Sequence, residues 1–457
     1  MTKPYDLLVI GAGPAGSAAA NLAAAQGRSV VLIERDKIGG TCLNYGCDPT
    51  KALLHLANQL HAARAAAPTG LRFGTAAADW PAVQSYLHHV RNQVRGGTDA
   101  AVRRQLAEQD IDVRKGVARF AGPRELRVGD ELLRAERVLI AVGSLATPPD
   151  LPGLQALGYI TNREAVNLRE LPRRLAIVGG GPIGVEFAQL FSRFGVQVTI
   201  VEQAPRLLMK DECALAERLR ELLEAEGIGV ITNATLTAAR PYRQAKQLLY
   251  TRDGENGALQ CDEIMIATGF RPALASLRLY EAGVATTEHG VVADATLRTS
   301  VPHIWVAGDA AGGYQFTHVA YEQGRLAAEN AFAEHPRQFD EHVIPWVTYT
   351  SPELAHVGRT EDELREAGVP YRVGVKQMRD VERALLIGQP EGQVKLLVGD
   401  DGAILGGHIL AAHAGELIAP LALAMRAGLR AADLAGTILP YPTLAEGVRW
   451  AAEDALG

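Results

Sequence analysis

Short apolar runs that stop at glycine recur along this chain. Near its start, DLLVI (Asp6 to Ile10) is a β-rich apolar run and GAGPAG (Gly11 to Gly16) turns sharply. SAAANLAAAQG then reads as an alanine-rich helix closed by Gly27, and SVVLIE as a second strand ending at Glu34. Strand, glycine turn, helix and strand make a βαβ unit. The succession returns at RLAIV (Arg174 to Val178), GGGPIG (Gly179 to Gly184), a helix from Val185, and VQVTIVE ending at Glu202.

A lone G-x-G-x-x-G says little. Set between strand and helix, with an acid at the tip of the next strand, it is a specific dinucleotide signal. The glycines let a pyrophosphate approach the helix N-terminus, where unpaired N–H groups and the helix dipole favour an anion. The acid accepts a hydrogen bond from a ribose hydroxyl. Two such fingerprints imply two dinucleotides and electron transfer between them; the alternative is a duplicated fold with one unused site.

Further apolar strands run into glycine at VLIAVGS (Val138 to Ser144) and EIMIATGFRP (Glu263 to Pro272). HIWVAGDAAG (His303 to Gly312) adds Asp309 at a strand's C-terminal end, where open α/β sheets bind ligands. After Pro336 the pattern changes to VTYTSPELAHVG, VKLLVGDDGAILGGHIL and an Ala/Leu-rich stretch, an α+β domain without a nucleotide signature. The expected fold is α/β, with two Rossmann-like dinucleotide-binding domains and a C-terminal α+β dimerisation domain.

Composition narrows the partners. In 457 residues, 47% apolar and 21% charged is ordinary for a globular protein. A net charge of −6 supplies no field for nucleic acid or anionic membrane. Leu417 to Leu429 is the nearest approach to a membrane span, but it is short and broken by Pro420 and Arg426. DLLVI begins almost at once, so no secretory leader is expected. With four cysteines a disulfide scaffold is not expected. Cytoplasmic localisation is the expectation, and a close Cys pair there points to catalysis or metal binding.

GGTCLNYGCDPTK, residues 39 to 51, holds such a pair, with a Cys-x4-Cys spacing that fits neither a zinc knuckle nor a thioredoxin motif. Together with GAGPAG, the second glycine motif, ATG, AGD and a C-terminal PTLAE, in that order, it carries a resemblance that covers residues 4 to about 453. The chain resembles the flavoprotein disulfide reductases: dihydrolipoamide dehydrogenase, glutathione reductase and mercuric reductase.

The resemblance implies an FAD domain in two segments (1–150 and 271–336), an inserted NAD(P)H domain (151–270) and an interface domain (337–457) of a homodimer whose active site is shared between subunits. It implies that Gly11, Gly13, Gly16 and Glu34 hold the ADP half of FAD, with Pro14, Ala15, Gly40, Thr41 and Gly143 alongside, and Asp309 the ribityl chain. Lys51 and Glu186 match the family's ion pair beside the flavin. Gly179, Gly181, Gly184, Glu202 and Gly269 fall to the nicotinamide dinucleotide. Glu202 favours a free 2′-hydroxyl and hence NADH, while Arg206 keeps NADPH open. By the same resemblance the flavin reduces a Cys42–Cys47 disulfide, Cys47 is the thiolate nearer the flavin, and Cys42 attacks the acceptor. No resident metal is implied.

Helix geometry limits this segment. Across five residues a regular helix rises about 7.5 Å and turns about 140°, leaving the two Cα atoms roughly 8 to 9 Å apart. A disulfide tolerates about 7 Å. The helix must therefore break between the cysteines, and Gly46 is placed to break it. Asp48-Pro49 suggests a new helix starting near Pro49 with Asp48 as its cap. The family usually has an aliphatic residue at position 48, and a carboxylate facing the thiols would instead raise their pKa.

A second departure lies in LPYPTLAEG. Tyr441 stands where the resemblance places the family's acid–base histidine, five residues before Glu446, which matches the glutamate that orients it. A phenol of reference pKa about 10 is a poor proton shuttle at neutral pH. Mercuric reductase shares a tyrosine there, and a soft cation needs thiolates and electrons more than a protonated leaving group. Yet that enzyme usually ends in a vicinal cysteine pair, and this chain ends WAAEDALG with no cysteine beyond Cys261. Cys213 and Cys261 read as structural, His88, His89, His408 and His413 as solvated or packed, and His318 as structural near the cofactor. The expected function is mercuric reductase-like transfer of electrons from NAD(P)H, through flavin and dithiol, to a soft metal ion or small electrophile. A disulfide reductase with another proton donor, an NADH oxidase or diaphorase, and a low-turnover flavin redox sensor remain alternatives.

Overall fold

The computed structural model describes residues 4–457. Strand β1 (Tyr5–Ile10), helix α1 (Pro14–Ala25) and strand β2 (Val30–Glu34) form the first βαβ unit. β1 lies between β2 and Glu131–Ile140, parallel to both, with Leu8 opposite Val31 and Val138. Ile111–Lys115 extends the parallel sheet beyond β2. α1 and the helix Thr317–Phe332 pack on one face and the strands Ala118–Gly122 and Glu125–Val128 on the other, so every residue of β2 is buried and its run is continuously apolar up to Glu34. The strand Ile304–Val306 returns late in the chain to pair in parallel with Val138–Ile140, and this return carries Asp309 back to the first unit.

Between these passes lies a second parallel sheet, ordered Gly229–Ile231, Gln197–Val201, Arg174–Val178, Glu263–Ile266. Its helix, Pro182–Arg193, starts three residues before the expected Val185 because Pro182 occupies the first turn, where a missing N–H costs nothing. The C-terminal region is a five-stranded antiparallel sheet packed by helices Ala414–Arg426 and Glu446–Leu456. Two α/β sheets and an α+β region agree with the expected fold class. No helix among the described residues is long and apolar enough to cross a membrane.

Small residues set the packing of α1. A Cβ on Gly324, in the helix Thr317–Phe332, would lie 2.1 Å from the Ala15 carbonyl oxygen. The alanine-rich sequence is thus what lets two helices meet backbone to backbone beneath the glycine turn.

Candidate active site

The Cys42–Cys47 segment is two helices with a break. Helix α2 (Gly40–Tyr45) ends at Gly46, which has φ −124° and ψ −115°, and helix α3 (Cys47–Ala65) starts at the very next residue. Space at Gly46 is tight. A Cβ there would sit 3.1 Å from the Thr41 carbonyl oxygen and 3.4 Å from the Cys42 Cα. The segment is pinned from outside: buried Asn44 donates to the Ile38 and Gly40 carbonyls, Arg91 to the Asn44 carbonyl, and Asn162 to the Tyr45 carbonyl.

One expectation is corrected here. The new helix starts at Cys47, not near Pro49, and Asp48 does not cap it: the N-cap is Gly46, and Asp48 lies inside the first turn without a capping hydrogen bond. Gly46 makes the turn alone, so Pro49 falls within the helix, buried.

Being first in a 19-residue helix places Cys47 at the positive end of its dipole. Its Sγ lies 3.3 Å from Thr317 Oγ1. The hydrogen bond from Cys42, with help from the Lys51 charge and Thr317, outweighs burial and lowers the Cys47 thiol to about 6. Cys42, as the donor of that bond and itself buried, is pushed up, and the Asp48 charge adds to the rise. One sulfur is therefore the thiolate and the other holds the proton.

Lys51, one turn along α3, donates to both oxygens of Glu186 at 2.8 and 3.0 Å. Burial opposes the Lys51 charge, but Glu186 and Cys47 restore it and the ammonium is held above its usual range. Glu186 also accepts from the Tyr349 backbone N–H at 2.9 Å, and the Tyr349 ring lies 4.6 Å from the Lys51 ammonium.

The two glycine turns are built alike. Gly11 has φ +103°, and a Cβ there would lie 2.3 Å from the Ala141 carbonyl oxygen; for Gly179 the values are +111° and 2.4 Å, against Ala267. Gly16 and Gly184 each face the carbonyl of the turn's first glycine, at 1.8 and 2.0 Å from a hypothetical Cβ. Glu34 accepts from Ala12 and Asp36 N–H groups, Glu202 from those of Gly180 and Ala204. A cavity of about 1540 Å³ runs continuously past both turns and the cysteine pair.

A family and its relatives now account for this arrangement. Residues 5–324 match the family described as pyridine nucleotide-disulphide oxidoreductase, and residues 344–452 its dimerisation domain. The chain belongs to this family. Mercuric reductase from Streptomyces lividans is 39% identical over 98% of this chain and 96% of that protein. Dihydrolipoyl dehydrogenase from Bacillus subtilis is 37% identical over 99% of this chain and 98% of that one. The HOCl-induced flavoprotein disulfide reductase RclA from Escherichia coli, solved as a Cu(II) complex, has a TM-score of 0.88 at 30% identity, covering 99% of each chain.

Pyridine nucleotide-disulphide oxidoreductases use FAD and NAD(P)H, so this protein is an FAD-dependent, NAD(P)H-using oxidoreductase, and its dimerisation domain indicates a homodimer. The residues present fit FAD. Gly13 and Gly40 line the cavity and pack backbone to backbone, with a Cβ on Gly40 only 2.7 Å from the Gly13 Cα, so the glycine turn is kept free of side chains. Asp309 lines the same cavity, takes a hydrogen bond from Ser144 Oγ, and is pushed up by burial.

Of the residues singled out from sequence, Gly11, Gly13, Pro14, Ala15, Glu34, Gly40, Thr41, Cys42, Cys47, Lys51, Gly143, Gly179, Gly181, Glu186, Glu202, Gly269 and Asp309 all line this cavity. Gly16 and Gly184 sit behind it in the helix–strand contacts. Tyr441 and Glu446 are not brought there by their own chain. Tyr441 is 70% exposed and its hydroxyl donates to Glu382, which holds the phenol above its usual range. Glu446 accepts from the Thr443 N–H instead of orienting residue 441.

Arg206 departs from its open role: its guanidinium donates to the Leu207, Leu208, Met209 and Asp211 carbonyls. His318 stacks on Phe316 and lines the cavity, His408 is fully buried, and His88, His89 and His413 are exposed. Sequence reasoning missed Thr317 and Tyr349. Neither stands in a motif: Thr317, at the start of its helix, reaches Cys47, and Tyr349, just past the strand Trp346–Thr348, reaches Lys51 and Glu186.

Proposed function

We propose that this protein passes electrons from NADH to a soft metal ion or small electrophile held at Cys42 and Cys47. The observation that carries the reading is Tyr441. A phenol held above its usual range by Glu382 is a poor proton donor at neutral pH, so a leaving thiol gains little from it, whereas a soft cation needs only the thiolates. The similarity to mercuric reductase and the copper complex of the structural relative support the same reading.

When bound, FAD supplies the relay that accepts hydride from the nicotinamide and delivers an electron pair to the Cys42–Cys47 disulfide. Lys51, neutralised by Glu186, steadies negative charge beside Cys47. Cys47 remains a thiolate, while Cys42 gives up its proton as it engages the acceptor. In a shared active site Tyr441 and Glu446 come from the second subunit. NADH is the proposed donor because an acid at the second strand tip, Glu202, would repel a 2′-phosphate, and Arg206 donates to backbone carbonyls.

The test is NADH consumption with mercuric ion, cupric ion and lipoamide as acceptors, for the wild type and Tyr441→His. The reading expects metal-dependent consumption, abolished in Cys42→Ser, and a gain of at least about tenfold in lipoamide turnover on restoring histidine. Lipoamide turnover that already exceeds the metal rate, and does not respond to histidine, would assign the protein to the dihydrolipoamide dehydrogenase reaction.

A further inference from the structure

The charges around the cysteine pair do not cancel. Lys51 is bound through two hydrogen bonds to Glu186, and the two together are neutral. Tyr349 and His318 add no charge, since burial pushes the phenol up and the imidazole down. Asp48 remains. It follows Cys47 in the first turn of α3, lines the same cavity as both cysteines, and makes no hydrogen bond among the described residues. Burial pushes its carboxyl up, the Lys51 charge pulls it back, and its own charge reaches the Cys42 sulfur.

A cap or an ion pair would have explained a carboxylate at this position; the structure supplies neither. Its remaining effect is on whatever approaches Cys42. In a partly buried cavity a unit charge acts on another more strongly than it would in bulk water. That attracts a cation, repels an anion, and leaves a neutral acceptor unaffected. We infer that Asp48 is a specificity-determining residue that selects cationic acceptors at Cys42. This rests on the reading that the acceptor meets this cysteine pair, though not on the acceptor being a metal.

Two disulfides of nearly equal shape and opposite charge test it: cystamine, a dication, and dithiodipropionate, a dianion. In each exchange the Cys42 thiolate attacks one sulfur, the disulfide S–S bond breaks, and the departing thiolate takes a proton from water. Cys47 then displaces the second thiol to close the protein disulfide. The NADH-reduced holoenzyme is mixed with each disulfide and the loss of titratable thiols is timed. Any change in Cys42 nucleophilicity on mutation affects both disulfides, so the ratio of rates isolates charge selection.

The wild type should prefer cystamine. Asp48→Asn should shift the ratio about tenfold toward dithiodipropionate, the shift should shrink in molar salt, and Asp48→Glu should keep most of the wild-type ratio. A ratio unchanged within about twofold in Asp48→Asn overturns the proposal. So does a salt-independent shift that Asp48→Glu fails to rescue, which would mark a steric role. Exchange that persists in Cys42→Ser would instead sink the assignment of the acceptor site, separately from Asp48.

Discussion

The two glycine units of this protein share a backbone and differ in what one helix position does. Gly11 N–H donates to the Ile33 carbonyl at 2.8 Å, and Gly179 N–H to that of Val201 at 2.9 Å. In both, the helix begins with proline behind a glycine N-cap at φ −76°. Four residues beyond that proline, the first unit has Ala18 and the second Glu186. Ala18 is simply buried, in keeping with the close approach of α1 to the helix Thr317–Phe332. Glu186 is buried too, but reaches Lys51 on the cysteine helix. In the first unit this helix position only packs; in the second it also builds the wall beside the cysteine helix.

The sharpest way to break this comparison is the matched pair Gly11→Ala and Gly179→Ala. Each forces a Cβ into a carbonyl oxygen at a positive φ, a loss on the order of 3–5 kcal/mol locally. Gly11→Ala should be purified without flavin, as read from visible absorbance. Gly179→Ala should keep flavin and raise KM for NADH at least about tenfold. Flavin loss in both would show that the units do not fold as separate cradles.

A smaller effect separates Lys51 from Glu186. The Cys47 thiolate exists above about pH 6 and is protonated below it, because Cys42, Lys51 and Thr317 favour the charged form. Lys51→Met removes a favourable charge and should move this titration up toward the ordinary thiol value of about 8.5. Glu186→Gln removes an unfavourable charge and should move it down. The difference in ultraviolet thiolate absorbance between each protein and its Cys47→Ser form, followed against pH, checks both directions. Equal shifts of the same sign would mean that the pair acts only as packing.

The smallest expected effect is at Arg206. With its donors spent on four carbonyls, Arg206→Ala should raise KM for NADH about threefold by loosening the loop. The ratio of NADH to NADPH efficiency should stay within about twofold. Selective loss of NADPH use would mean that the guanidinium leaves its carbonyls for a 2′-phosphate.

Much of the cradle was legible because its signals are local. Glycine positions, strand tips and the acids at residues 34 and 202 lie within single βαβ units, where spacing dictates geometry. The helix break at Gly46 was legible for the same reason, since rise per residue forbids a regular helix between bridged cysteines. Asp48 was misread because a cap and a first-turn position differ by two residues, and Asp-Pro suits either. Arg206 stayed open in the sequence because nothing there says which of two acceptors a guanidinium will meet.

By itself the sequence determined two dinucleotide turns, a cysteine pair that must straddle broken helix, and a tyrosine where a proton donor belongs. These follow from short-range sterics and from side-chain chemistry. Only the tertiary structure decided that Ile304–Val306 returns Asp309 to the first sheet, that Glu186 reaches Lys51, and that Thr317 meets Cys47. Those pairings join residues 135 to 270 positions apart, and no local rule chooses among partners at that distance. The same is true of charge balance: Asp48 makes no ion pair among the described residues, because Glu186, from another helix, holds the neighbouring lysine.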